Sequence, residues 1–269
     1  MDAHAFVAET LHLRSCGPDA FLLELELPAP LPPLAPGRFA MVCREDGLDP
    51  VIPRPFSVYD QPDPGRLVFL VQVVGRGTRD LAALRPGDPV TCTVPLGNGF
   101  EVAPSGREVV LVAGGVGSAP FLLYVRRRLE TGPEAGTTFF FGARSGDRLY
   151  DARAFGSLAL RTVFSTDDGS AGFHGNVVEA VERSLAHGEI GSGALFCACG
   201  PEGLLHGFAA FAREHALEYE LSLETYMGCG FGVCNGCPVP TAPDGPLGSW
   251  PWAKACRAGP VFSGSAIRF

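Results

Sequence analysis

Apolar and polar positions change their rhythm twice along this chain. Up to about residue 101 the apolar residues come in short β-rich runs. Phe21–Leu27 alternates in its second half, Arg66–Val74 is a longer branched and aromatic run, and Asp88–Val94 is a third strand candidate. Pro and Gly punctuate between them, at Pro28–Gly37, Pro62–Gly65 and Pro86–Gly87. Short strands so spaced predict a small closed antiparallel β-barrel. One helical pattern, Thr78–Leu84, interrupts them, with Thr78 expected as its N-cap.

From about 102 the pattern alternates between strand and helix. Arg107–Ala113 reads as a buried strand, followed by the turn Gly114-Gly-Val-Gly117 and a helix over Ser118–Leu129 with Pro120 in its first turn. Further strands are predicted at Thr138–Phe141, Arg161–Phe164 and Ala194–Cys199, and helices over 175–186 and 202–215. This order predicts a parallel sheet with helices on both faces. After a β-like run at Glu218–Leu223 the chain turns rich in Gly, Pro and Cys, with a Pro/Gly connector over Pro240–Pro251. The expected class is β plus α/β in three parts: a barrel over 1–101, an α/β domain over 102–217 and a cysteine segment over 218–269.

Composition narrows the functions. The 269 residues are 46% hydrophobic, enough for sizeable cores, and the net charge of −8 argues against a nucleic-acid partner. No apolar run reaches the length of a membrane helix, and Met1–Phe6 lacks the features of a secretory signal. Nine cysteines suit a reducing compartment, so a cytoplasmic location and no membrane partner are expected. The six histidines show no metal-ligand spacing.

The cysteines carry the sharpest chemistry. Cys229, Cys234 and Cys237 follow the spacing C-x4-C-x2-C, with Cys256 after a gap of 18 residues, and glycines at 228, 230, 232 and 236. That is the plant-type 2Fe–2S pattern, and glycines let backbone N–H groups turn toward sulfur. A structural zinc site with four cysteine ligands and four ordinary core thiols are the competing readings. Elsewhere, Arg54-Pro-Phe-Ser57 offers a cation, a rigid turn, an aromatic face and a hydroxyl, or is merely the start of a strand. Gly75-Arg-Gly-Thr78 opens a short helix and suits a pyrophosphate, or is a hairpin turn. Strand, Gly114-Gly-Val-Gly117 and helix form a phosphate-binding unit, unless the glycines serve only tight packing. Asp167 and Asp168 would bond an adenosine ribose and repel a 2′-phosphate, favouring NAD over NADP, or belong to a plain Asp/Gly turn. The Cys199-Gly200-Pro201 turn puts a thiol where a nicotinamide ring would pack, or an inert core cysteine.

Taken in order, Arg54–Ser57, Gly114–Gly117, Cys199–Pro201 and the four-cysteine segment resemble the ferredoxin–NADP reductase superfamily. Within it, Ser222–Cys229, Cys256–Phe262 and Thr166–Ser170 with Gly172 and Gly175 are similar to the electron-transfer subunits of two-subunit, NAD-linked dihydroorotate dehydrogenases. The likeness runs from about residue 5 to 262. It implies FAD, a 2Fe–2S cluster and NAD as cofactors. Arg54 and Pro55 would hold FAD with Phe56 near the flavin and Ser57 close to its N5; Val71, Gln72 and Val73 would line it, with Gly77 and Thr78 on its phosphates. Gly114, Gly115 and Gly117 would admit the NAD pyrophosphate, with Gly200 and Pro201 beside it, and Ser57 and Cys199 are the candidate catalytic residues. Cys229, Cys234, Cys237 and Cys256 would ligate the cluster. A catalytic subunit carrying FMN is the implied partner, in a heterotetramer. The same branch resembles subunits of NAD-dependent ferredoxin:NADP oxidoreductases and of sulfhydrogenases. The rival of another class is a zinc-stabilised binding protein without redox chemistry. The Trp250-Pro-Trp252 insert departs from the family pattern.

Overall fold

The computed structural model describes residues 3–45, 52–132, 136–158 and 160–268. Its first part is a closed antiparallel barrel of six strands: β1 (His4–Ser15), β2 (Ala20–Glu26), β3 (Phe39–Arg44), β4 (Arg54–Asp60), β5 (Arg66–Gln72) and β6 (Pro89–Leu96), in the order β1-β2-β5-β4-β3-β6. Alternation sends Leu23, Leu25, Leu67, Phe69, Val71, Val90 and Val94 inward, where all are buried. The helix between β5 and β6 is α1 (Arg76–Ala82), and its N-cap is Gly75. Thr78 is therefore not the cap. It sits in the first turn, where its hydroxyl oxygen accepts from the Val74 and Gly75 N–H groups and its proton goes to the Gly75 carbonyl.

The second part is a seven-stranded sheet. Its elements are β7 (Val109–Gly114), α2 (Ala119–Glu130), β8 (Thr137–Ala143), α3 (Ala152–Gly156), β9 (Arg161–Thr166), β10 (Phe173–His174), α4 (Val177–Ala186), β11 (Leu195–Cys199), α5 (Glu202–Glu214) and β12 (Glu218–Ser222). The remaining elements are β13 (Pro238–Pro240), β14 (Trp252–Lys254), α6 (Ala255–Ala258) and β15 (Val261–Ser263). The strand order is β10-β9-β8-β7-β11-β12-β15, parallel throughout except for the antiparallel edge strand β15. The β-like run after the last predicted helix thus pairs with β11 inside the sheet, and a strand from beyond the cysteines closes its edge.

Both faces of the sheet are covered, so its central strands β7 and β11 are apolar at every position. Val110, Val112 and Phe140 pack against α4 and α5, while Leu111, Phe139 and Phe141 pack against α2 and Phe155 of α3. Asn176 caps α4, accepting from the Val178 and Glu179 N–H groups, and Glu179 reaches back to the Asn176 N–H. The chain leaves β7 toward β8 on one side and returns to β11 on the other, which puts a topological switch point between β7 and β11.

Barrel and sheet share one structure. Leu123 of α2 reaches into the barrel core, and its neighbours Arg126 and Arg127 meet Asp60 at 3.3 Å and Gln61 at 3.1 Å. Arg128, fully buried, donates to the carbonyls of Ala103, Pro104 and Arg107 in the linker between the two parts, and to Thr137. A buried cation without a carboxylate is tolerable when every donor finds an oxygen.

Candidate functional site

Two cavities adjoin one another, sharing part of their lining. The smaller, of 370 Å³, lies between the barrel and the switch point. Arg54, Pro55, Phe56 and Ser57 all line it, although strict alternation would have split them. The reason is local: at these residues β4 pairs only with β3, and its pairing with β5 starts at Val58, so one edge stands open. Gly75–Thr78 form another wall. Because the Thr78 hydroxyl is committed to its own turn, this wall offers backbone N–H groups. Gln72 lines the cavity, but Val71 points into the barrel core and Val73 also packs against it. Expectation and structure part here because neighbouring strand residues face opposite sides.

The larger cavity, of 710 Å³, follows the carboxyl ends of the sheet strands. Gly114, Gly115, Pro201, Asp167, Arg144 and Arg148 line it. Gly115 has φ +55. Gly117 lines neither cavity; a Cβ there would lie 2.3 Å from the Cys199 carbonyl oxygen, so its smallness lets the turns after β7 and β11 touch. Gly200 does the same against the Gly114 N–H. Asp168 lines neither cavity, and its Oδ1 accepts from the N–H and hydroxyl of Ser170. Those two bonds hold its carboxyl below the usual range. Of the two aspartates, only Asp167 faces the cavity. Cys199 lines the smaller cavity, and burial pushes its thiol far up, so it stays protonated.

The cavities share Gln72, Val116 and Glu224. Glu224 is reachable from solvent through them, yet the surrounding chain crowds it and pushes its carboxyl up. Val116 and Glu224, together with Leu223, Thr225, Met227 and Pro260 of the smaller cavity, escaped the sequence reading. They reach the site from three places: Val116 from the turn after β7, Leu223, Glu224, Thr225 and Met227 from the end of β12, and Pro260 from the turn between α6 and β15.

Next along the chain, the four cysteines gather as two pairs. The Cys237 and Cys256 sulfurs are 3.3 Å apart and buried, while Cys229, partly exposed, accepts at 3.4 Å from the N–H of the exposed Cys234. Burial works to raise the Cys229 thiol, but N–H groups of Cys234, Phe231 and Val233 outweigh it and bring it to about 6. Among the described residues no three His, Cys, Asp or Glu side chains converge on a single ion. The cradle fits an inorganic core flanked by two thiolate pairs: a Cβ at Gly228 or Gly236 would stand 3.4 Å from the Cys234 sulfur, and Gly230 and Gly232 adopt φ +81 and +96. Lys254, the chain's single lysine, ties the loop by donating to the Gly232 carbonyl at 2.7 Å.

Comparison with known proteins agrees with this layout. Residues 224–268 match the family described as "Iron-sulfur cluster binding domain of dihydroorotate dehydrogenase B", and residues 111–209 match "Oxidoreductase NAD-binding domain". A relative from Desulforamulus reducens, named dihydroorotate dehydrogenase B (NAD(+)), electron transfer subunit, is 33% identical over 258 residues, covering 96% of this chain and 95% of its own. One from Methanocaldococcus jannaschii, named as the probable equivalent, is 33% identical over 87% of this chain and 81% of its own. Among solved structures, an NADH-dependent reduced ferredoxin–NADP oxidoreductase superposes with TM-score 0.80 at 28% identity, covering 97% of this chain and 90% of that one. The cytochrome b5 reductase domain of Ulva prolifera nitrate reductase, 16% identical with TM-score 0.67, shares the fold over 81% of this chain and 94% of its own. The cofactor set of such an NAD-linked oxidoreductase subunit is FAD, a 2Fe–2S cluster and NAD. The chain belongs to the electron transfer subunits of dihydroorotate dehydrogenase B.

Proposed function

We propose that this chain carries electrons from a dihydroorotate-oxidising catalytic subunit, through its 2Fe–2S cluster and FAD, to NAD. The carrying observation is the serial layout: the larger cavity meets the smaller at Gln72, Val116 and Glu224, and the smaller is walled by the residues leading into the cysteine loop. When bound, the cofactors supply the one-electron and hydride chemistry, and the protein supplies position and electrostatics. Arg54 and the N–H groups of Arg76–Thr78 would hold the FAD phosphates, Phe56 and Ser57 would face the flavin, and the protonated Cys199 would give an uncharged wall. Gly114 and Gly115 admit the NAD pyrophosphate, and Asp167 meets its adenosine ribose. Cys229 and Cys234 hold one iron, and Cys237 and Cys256 the other.

The partner in this reading is an FMN-bearing catalytic subunit, in a cytoplasmic heterotetramer of two subunits of each kind. Among the described residues no helix is long and apolar enough to cross a membrane. Trp250 and Trp252, 73% and 51% exposed, stand on the strand and connector that lead to Cys256, and Phe231 is exposed on the cysteine loop. Exposed aromatics beside an electron exit suit an interface core. Trp252→Ala is expected to weaken co-purification with the partner and leave FAD reduction by NADH unchanged; a variant that loses its cluster while still binding the partner would refute the docking role.

The decisive assay is anaerobic addition of dihydroorotate to the complex purified from its native host, followed by absorbance. Bleaching of flavin and cluster bands is expected, and subsequent addition of NAD should restore them with formation of NADH. The likeness to the ferredoxin–NADP oxidoreductase favours a second reading, in which reduced ferredoxin, and not dihydroorotate, reduces the flavin. Bleaching by ferredoxin alone would overturn the first.

A further inference from the structure

Of the three residues common to both cavities, Gln72 alone is locked in place. Its Nε2 donates to Asp19 Oδ2 at 3.0 Å and to the Tyr150 hydroxyl at 3.1 Å. Arg148 Nη1 donates to the same Asp19 oxygen at 2.8 Å and to Tyr150 at 3.3 Å, and the Tyr150 hydroxyl donates to Asp19 Oδ1 at 2.5 Å. Asp19 and Gln72 belong to the barrel, Arg148 and Tyr150 to the sheet domain, so the network closes across the seam beside the cavities' common mouth. Burial works to raise Asp19, but the bonds from Tyr150, Gln72 and Arg148 outweigh it and keep its carboxyl below the usual range. Burial, with Asp19 beside it, pushes Tyr150 up to about 12, so the phenol keeps the proton it donates.

This arrangement decides which way the Gln72 amide points. An ionised carboxylate only accepts, so the atom facing Asp19 must be the NH2, and the carbonyl oxygen is turned away from it. Among the described residues no donor reaches that oxygen. It is an acceptor with one orientation, at the place where the two nucleotides of the proposed function must meet.

We propose that Gln72 is a positioning residue for hydride transfer, its oxygen accepting a hydrogen bond from the carboxamide NH2 of the nicotinamide, with Asp19, Tyr150 and Arg148 setting its direction. The inference rests on the reading of the two cavities as flavin and NAD sites. In the proposed direction one hydride, with both electrons, would pass from the reduced flavin to the nicotinamide C4 and the flavin would give a proton to solvent; reduction of the flavin by NADH is the same step in reverse. The protein's part is to hold the nicotinamide ring in register, where a displacement near 1 Å costs about a hundredfold in rate. An amide anchored on both domains does this better than Glu224, for whose carboxyl no partner is found among the described residues.

The test uses the FAD- and cluster-loaded protein, wild type, Gln72→Leu and Tyr150→Phe, in anaerobic stopped-flow reduction of the flavin. The probes are NADH and its 3-acetylpyridine analogue, whose methyl ketone lacks the NH2. Wild type is expected to favour NADH by about tenfold or more in limiting rate. Gln72→Leu should lower the NADH rate by about ten- to a hundredfold, weaken the long-wavelength nicotinamide–flavin absorbance, and leave the two probes nearly equal. Tyr150→Phe, which keeps Asp19 and Arg148, should move the same quantities less far. An unchanged probe ratio in Gln72→Leu overturns the inference while leaving the NAD site intact; loss of FAD from that variant overturns it in favour of a flavin contact. A wild-type flavin that NADH does not reduce overturns the underlying reading.

Discussion

The seam between barrel and sheet and the segment around the cysteines are held in opposite ways. At the seam polar side chains are tied to protein: Asp151 takes the Tyr59 hydroxyl at 2.7 Å and Arg14 at 2.9 Å, next to the Asp19–Tyr150 network, and Arg128 is spent on four oxygens. Around the cysteines the chain from Leu223 to Cys237 has no regular secondary structure, exposes Tyr226 at 95%, and turns its N–H groups toward sulfur. The first region is held by its own contacts; the second presents sulfurs and backbone N–H groups. A protein that must hold two nucleotides in register needs the rigid seam, and one that passes electrons outward needs the open loop.

The sharpest way to break this contrast is to remove one thiolate. Cys234→Ser is expected to lose essentially all iron and sulfide while keeping FAD, because metal binding supplies the order of a segment with few contacts of its own. Iron content equal to wild type would show that the loop does not depend on the cluster. A smaller but still large effect is expected at the seam. Arg128→Leu strips the donors from three linker carbonyls and should cost about 3 kcal/mol or more, read as a lowered denaturation midpoint. A loss under about 1 kcal/mol would mean water replaces the guanidinium there.

Nucleotide choice comes next. Asp167 faces the larger cavity, so NADH should outcompete NADPH by about ten- to a hundredfold in flavin reduction, from an unpaired charge contact worth about 1–3 kcal/mol. Asp167→Ala should narrow that ratio and Asp168→Ala should not, since Asp168 is bound to Ser170 in its own turn. Equal ratios in all three proteins would remove Asp167 from the site. The smallest effect is the seam's response to acid. Asp19 has a lowered folded pKa, so its contribution is present above the ordinary carboxylate range and lost as pH falls through the folded value. The group is partly exposed, so the loss should be at most about 1 kcal/mol, and absent in Asp19→Asn. An identical acid slope in that variant would exclude Asp19 as its source.

Much of the molecule follows from local chemistry. Strands buried on both faces need apolar residues throughout, so the β7 and β11 runs are legible in the chain, and thiolate spacing with interleaved glycines marks the cysteine loop by itself. Where local periodicity is the physical cause, the chain alone suffices. It falls short where the cause is distance. Thr78 stands at a helix start, but whether its hydroxyl caps or braces depends on the turn before it. Asp167 and Asp168 are adjacent in the chain, and only the fold turns one to the cavity and the other to Ser170. Val71 and Gln72 lie one residue apart, and the barrel's closure decides which is core and which is wall. The meeting of Gln72, Val116 and Glu224 is tertiary through and through: three elements, far apart in the chain, converge at a switch point set by strand order, which no stretch of sequence encodes by itself.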